Sequence, residues 1–151
     1  MKAIGIKMVD LRQMYAAEAI HLGYKTNNYK DDDDGYEVTY PDGYKSWCPK
    51  EIADKVYFKL DEANDGTKIL EQDVHNFIDY IEGDKIGAKT SLVHATTITG
   101  FEYVETSSCV DEKNFNHTLG YKYAKEKVVS KVWDALGFVL QWAKNGITDK
   151  E

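Results

Sequence analysis

Lys122 and Lys125 stand three residues apart with Tyr121 beside them. In a helix that spacing projects both ammonium groups from one side, close to the ring. Just upstream, Ser107, Ser108, Asn114 and Asn116 supply small hydrogen-bonding groups near a helix start, where free backbone N–H groups favour anions. Cations, amide donors and aromatic rings are what a phosphorylated, base-bearing small molecule requires. The same residues also suit a plain solvated helix face opposite an apolar stripe, and spacing alone leaves both readings open.

Catalytic chemistry is harder to assemble. There is no GxSxG elbow, Walker loop, HExxH pair or Rossmann glycine fingerprint. Ser107, Ser108 and Cys109 are possible nucleophiles with His94 and His117 within reach in sequence. Sequence distance carries no information about the geometry that a nucleophile and its base need, so the expectation is a non-enzyme.

Two acidic stretches suggest calcium loops and fail the spacing test. With Gly35 of "YKDDDDGY" as the turn glycine, loop position one is Lys30 and position twelve is Pro41. In "DEANDGTK", position three would be Ala63 and position twelve Gln72. None of these four side chains supplies the carboxylate that calcium needs there. Two cysteines, Cys48 and Cys109, without a CxxC pair are too few for a zinc site or a disulfide framework. No metal and no cofactor is expected.

The net charge of −7 argues against general nucleic-acid binding, which needs a basic footprint. An acidic surface serves solubility or a basic partner. At 151 residues with 42% apolar and 30% charged residues, the chain reads as globular, with enough core to fold without staples. No apolar run approaches the length that crosses a bilayer, and "MKAIGIKMVD" lacks a secretory signal's apolar stretch, so a cytoplasmic protein is expected.

The positioning elements follow from periodicity and turn chemistry. A strand is expected at Ala3–Met8, then a helix around Gln13–Leu22 stopped by Gly23. After the acidic loop, "YEVTY" turns through Pro41-Asp42-Gly43 into "YKSWC", with Tyr36, Val38 and Tyr40 as one packed face. Pro49 then takes a first helical position, with Ile52, Ala53, Val56 and Leu60 at helical spacing. A further helix is expected over "ILEQDVHNFIDYIE", with Ile69, Val74, Phe77, Ile78 and Ile81 inward and His75 as a structural histidine beside them. Two strands joined at Thr99-Gly100 follow, then a cap at Asp111, and a long helix from about Thr118 to Lys144 ended by Gly146. Its apolar stripe is Ala124, Val128, Val132, Ala135 and Val139, flanked by Val129, Trp133, Leu136 and Leu140. The fold class is α+β, a small antiparallel sheet packed against a long C-terminal helix and shorter helices. Residues 1–60 form a strand-helix-hairpin-helix module, and residues 67–147 a second module with the strand hairpin and the long helix.

Over about residues 90–145 the chain resembles a family of small phage and prophage proteins. Gly100, Phe101, Ser108, Cys109, Val110, Asn114, Phe115, Gly120, Ala124, Lys131, Trp133 and Leu136 match its pattern in order. That family includes the type-one Thoeris anti-defence proteins, phage sponges that bind cyclic ADP-ribose isomers made by bacterial TIR-domain enzymes; some also hold cyclic oligonucleotides. The resemblance implies a counter-defence protein in the infected host's cytoplasm, a homo-oligomer built on a dimer that sequesters its ligand without cleaving it. By the same resemblance Lys122 and Lys125 would meet phosphates, and Tyr103 or Tyr121 a base or ribose. Glu105, Asn114 and Asn116 would bind sugar hydroxyls or base edges. Sponge members often carry arginines where this chain has Tyr121 and Lys125. Lysine keeps the charge without the flat two-pronged fork. Two rival classes are a protein-binding inhibitor of a host effector, of the anti-CRISPR type, acting through the acidic surface at Asp31–Asp34, and a structural or virion-assembly role.

Overall fold

The computed structural model describes residues 1–149. The chain divides into two compact units: Met1–Lys59 together with the stretch from Leu140, and Leu60–Val139.

In the first unit the elements are β1 (Asp10–Gln13), α1 (Ala16–His21), β2 (Gly35–Thr39), β3 (Lys45–Pro49) and α2 (Lys50–Val56). The strands form an antiparallel sheet in the order β1-β2-β3. The β2–β3 hairpin closes as its Pro-Asp-Gly turn dictates: Gly43 N–H donates to the Tyr40 carbonyl at 2.9 Å, and Tyr44 N–H to Asp42 Oδ1 at 2.9 Å. Met14, Ala16, Ala19 and Trp47 form the core, with Tyr24 and Tyr29 packed against it. The Trp47 indole N–H donates to the Met14 carbonyl at 2.8 Å, so its one polar atom is satisfied inside. The acidic loop has a structural task, because the Asp33 and Asp31 carbonyls accept from Ala16 and Ala17 N–H at the open start of α1.

Several expectations are corrected here. Residues 1–9 form no strand, and Ile4 is exposed. Alternation alone makes no strand when the backbone lacks a neighbour to pair with. The first strand begins instead at Asp10, paired with Thr39. The helix expected from Gln13 starts at Ala16, since Gln13 is taken by β1. Pro49 ends β3 and caps α2 rather than opening it, and of the α2 stripe only Ala53 is buried while Ile52 and Val56 are exposed. In β2 the packed residues are Gly35, Glu37 and Val38, with Tyr36 and Tyr40 only half-buried.

The second unit holds α3 (Glu71–Phe77), β4 (Ile78–Ile86), β5 (Thr90–Thr97), β6 (Glu102–Ser108), a 3-10 turn (Glu112–Asn114) and the start of α4 (His117–Asn145). Its sheet is antiparallel in the order β4-β5-β6. The helix expected over "ILEQDVHNFIDYIE" stops at Phe77. Ile78, Tyr80 and Ile81 pair with Thr97, Thr96 and Ala95 of β5, so sheet pairing overrides a helical spacing that these β-formers fit only by coincidence. His75 is exposed and lies 3.5 Å from Glu71 instead of packing. The "DEANDGTK" segment is tied by Asp73. Its fully buried carboxylate accepts from Asp61 N–H at 2.6 Å, Asn64 Nδ2 at 2.6 Å and Leu70 N–H at 2.8 Å. Three donors compensate the burial of that charge.

Along β5, Ser91, Val93, Ala95 and Thr97 are buried and alternate with half-buried neighbours, so one face is covered. The buried stripe of α4 is Ala124, Val128, Val132 and Leu136. Two glycines admit the helix. A Cβ on Gly120 of α4 would overlap the Ser91 hydroxyl, and one on Gly83 of β4 would overlap the Tyr121 ring. The α+β class is as expected, built from two three-stranded sheets with one long helix and shorter ones.

Candidate functional site

The start of α4 is built by local hydrogen bonds. Asn116 Oδ1 accepts from Leu119 N–H at 3.0 Å and its carbonyl accepts from Gly120 N–H at 2.9 Å, so Asn116 is the helix cap. Ser91 donates to the His117 carbonyl at 3.3 Å, with His117 Nδ1 also 3.0 Å from its hydroxyl. Asn114 is exposed on the 3-10 turn before the cap.

Downstream, the 3.6-residue period sends the lysines of α4 to two flanks of its buried stripe. On the β6 flank, Lys131 pairs with Glu105 and Lys127 Nζ donates to the Thr106 carbonyl at 2.7 Å. These cations are spent holding the helix to its sheet. On the β4 flank, Tyr121 lies against Gly83 and is half-buried. Lys122 is exposed, 4.0 Å from Glu126. Lys125 is half-buried and, among the described residues, no carboxylate pairs with it.

Of the residues singled out from sequence, Tyr121, Lys122 and Lys125 therefore come together. Glu105 stands on β6, where Lys131 engages it. Tyr103, two residues away on the same strand face, is half-buried with its ring edge-on to Phe101 at 5.1 Å. Lys85 was missed. Its Nζ lies 4.9 Å from the centroid of the Phe115 ring, close to the start of α4. The helix expected over residues 69–82 left Lys85 outside any expected element, and the two-residue alternation from Ile81 through Gly83 was the signal that places it on the helix-facing side.

Two of the candidate nucleophiles, Ser108 and Cys109, meet groups other than the candidate histidines. Ser108 Oγ lies 2.8 Å from Thr90 Oγ1, and the Cys109 thiol 3.1 Å from the Asp111 carbonyl. His94 is on the sheet face opposite to buried Val93 and Ala95, with Nε2 at 3.1 Å from Glu102 and Nδ1 at 3.4 Å from Glu82. Hydrogen bonds to Glu102, then Glu82, push its pKa up. With one carboxylate on each ring nitrogen, these three groups do not converge on one point. Among the described residues no group of three His, Cys, Asp or Glu side chains is placed to hold a metal ion.

Fold and site together define a small α+β protein whose long helix presents a cation-bearing flank beside a three-stranded sheet. Residues 47–143 match the phage protein (N4 Gp49/phage Sf6 gene 66) family, and the chain belongs to that family. No curated protein and no solved structure matches it. Among the described residues no helix is long and apolar enough to cross a membrane.

Proposed function

We propose that this phage protein is a counter-defence factor that binds a cyclic nucleotide immune signal of the cyclic ADP-ribose isomer type and holds it without cleavage. Cyclic oligonucleotides are a second ligand class for the same activity. The carrying observation is Lys125, half-buried beside Tyr121 with no carboxylate paired to it. Among the described residues no carboxylate occupies this ammonium, and a phosphate oxygen would supply a counter-charge through a charge-assisted hydrogen bond. Tyr121 offers a ring for a base or ribose, and Lys122 a second cation. Tyr103, Glu105 and Asn114 are the outer polar and aromatic contacts of this reading, whereas Asn116 contributes by fixing the helix start. The assembly is a homo-oligomer built on a dimer, which would preorganise a small site for tight capture. It acts in the cytoplasm of the infected host.

The test is retention. The purified protein is incubated with cyclic ADP-ribose isomers and cyclic oligonucleotides, filtered and denatured, and the released material is analysed. Release of intact nucleotide supports sequestration; altered nucleotide means an enzyme, and an empty filter across the panel sinks the reading. Lys122→Glu and Lys125→Glu are expected to abolish retention while thermal unfolding stays unchanged.

One observation favours the rival protein-binding inhibitor. Asp31 and Asp32 are exposed while Asp33 accepts from Lys30 N–H within the loop and Asp34 from the Gln13 amide of β1, leaving two carboxylates for a basic partner. Loss of host-effector inhibition in an Asp31→Asn, Asp32→Asn double variant that still retains nucleotide would favour it.

A further inference from the structure

β4 is an edge strand of the second sheet, and the hydrogen bonds around β5 fix which of its backbone groups stay open. Thr97 N–H donates to the Phe101 carbonyl at 2.9 Å, and Cys109 N–H to the Lys89 carbonyl at 3.2 Å. The odd-numbered residues of β5 therefore bond toward β6, and the even-numbered ones toward β4, where Glu82 pairs with His94 and Asp84 with Leu92. By the same alternation the N–H and C=O groups of Ile81, Gly83 and Lys85 point away from the sheet. Lys85 N–H donates instead to Asp84 Oδ1, at 2.7 Å. Among the described residues, none from elsewhere in the chain bonds these open groups. The β6 edge is closed differently, by Lys127 Nζ on the outward carbonyl of Thr106 at 2.7 Å.

The side chains of β4 on the face away from the helix are Tyr80, Glu82, Asp84 and Ile86, all exposed. An added antiparallel strand would meet Glu82 and Asp84 at positions without backbone hydrogen bonds, where side chains approach closest. Tyr80 donates to Glu82 at 2.8 Å, and this bond, then that to His94, holds the Glu82 pKa below its ordinary 4.5, so it is charged at neutral pH. A second copy of β4 fits badly. Antiparallel pairs centred on Glu82, Gly83 or Asp84 set carboxylate against carboxylate, which is destabilising.

We propose that β4 is a docking edge for an extended, basic segment of another protein, which adds antiparallel beside Ile81, Gly83 and Lys85 and sets cationic side chains opposite Glu82 and Asp84. Main-chain bonds supply attachment, and the two charge pairs supply selection. A carbonyl of the added strand takes the Lys85 N–H, and Asp84 is released to its cation. Tyr80 and Ile86 offer apolar contact on either side of the charged pair. The edge uses neither the lysines of α4 nor Asp31–Asp34, so it stands independently of the nucleotide-binding reading and of its rival.

The probe is a short capped peptide that alternates threonine with, in turn, valine, arginine, arginine and valine. It is titrated calorimetrically into the full chain at about 0.15 M salt, which screens diffuse attraction. An isomer with the two arginines adjacent carries the same charge but only one arginine on each face. Wild type is expected to bind the alternating peptide about fivefold more tightly than the isomer. Glu82→Gln with Asp84→Asn should weaken it about tenfold, the size of two lost cross-strand charge pairs. Asp31→Asn with Asp32→Asn should change it by under about twofold. Methylating the threonine amides, which face β4, should abolish binding, while methylating the arginine amides, which face solvent, should change it by under about threefold. The methylation arm uses wild type throughout, so a variant that fails to fold leaves it intact. Absence of binding, equal affinity for the two isomers or for the two methylated peptides, or binding removed by the Asp31 and Asp32 changes instead, overturns the proposal.

Discussion

The sheet of β1–β3 and the sheet of β4–β6 share strand number and antiparallel order, yet each is closed by different chemistry. In the first, the middle strand buries Glu37 beside Val38, and that carboxylate gathers Arg12 at 3.4 Å, Lys45 at 3.4 Å and the Tyr24 hydroxyl at 2.7 Å. An indole fills the remaining core. In the second, the middle strand buries only small or β-branched residues, and glycines let a long helix approach. A polar hub uses up the charges around it. A helix seated on small residues leaves Lys122 and Lys125 unengaged by the sheet among the described residues, Lys122 lying 4.0 Å from Glu126 of the same helix, and that flank is where the candidate site lies.

The largest effect should come from removing the indole. Trp47→Ala is expected to cost about 3–5 kcal/mol, the range for truncating a buried large aromatic, and it also leaves the Met14 carbonyl without its donor. Urea unfolding followed by far-ultraviolet circular dichroism measures it. A loss below about 1 kcal/mol would mean that the first sheet does not depend on its core in the way described.

Next comes the glycine seat. Gly120→Val adds a branched side chain where the Ser91 hydroxyl stands, and overpacking of this kind costs about 1–3 kcal/mol. Ser91→Gly in the same chain removes the obstructing atoms and should recover part of the loss. Equal stability of the single and double variants would show that the helix is seated by something other than this notch.

Most of the fold could be read from local signals. The Pro-Asp-Gly hairpin, the Thr99-Gly100 turn and the long helix all formed where turn chemistry and a 3.6-residue stripe placed them. The misses share one cause. Ile4 and Ile6 alternate but have no partner strand, while Ile78 and Ile81 fit a helix but find β5, and pairing across the chain is not visible in a short window. The site was legible in part for the same reason. Tyr121, Lys122 and Lys125 lie within two helical turns and could be grouped from spacing, whereas Lys85 is placed only by the sheet register. Nor does sequence distinguish Lys127 and Lys131, spent on Thr106 and Glu105, from Lys125.

The polar hub yields a smaller effect with a sign that can be worked out. Glu37→Gln keeps the shape but removes the charge that Arg12 and Lys45 face, for an expected loss of about 1–2 kcal/mol at neutral pH. Hydrogen bonding, first from Tyr24 and then from Arg12 and Lys45, holds the Glu37 pKa below its ordinary 4.5. A carboxylate with a depressed folded-state pKa stabilises the fold above its unfolded value. That contribution is lost as pH falls through the lower folded value. The difference between wild type and Glu37→Gln should therefore shrink below about pH 4.5, and a constant difference down to pH 3 would sever the hub from acid stability.

The smallest effect belongs to the open face of the second sheet, where His94 bridges Glu82 of β4 and Glu102 of β6. Tyr80 also donates to Glu82 at 2.8 Å, so this carboxylate already has one neutral donor when the imidazole is uncharged. The His94 pKa is raised above its ordinary 6.5, so the protonated ring is the form the folded sheet prefers. Such a group stabilises fully below the unfolded value, and its contribution disappears as pH rises through the raised folded value. The thermal midpoint of wild type relative to His94→Gln should accordingly fall as pH rises from about the ordinary 6.5 through the raised folded value. A difference that is flat over that range would mean that the two carboxylates are solvated independently of the ring. The exposed ladder would then add no stability, and closure of the second sheet would rest wholly on the helix-covered face.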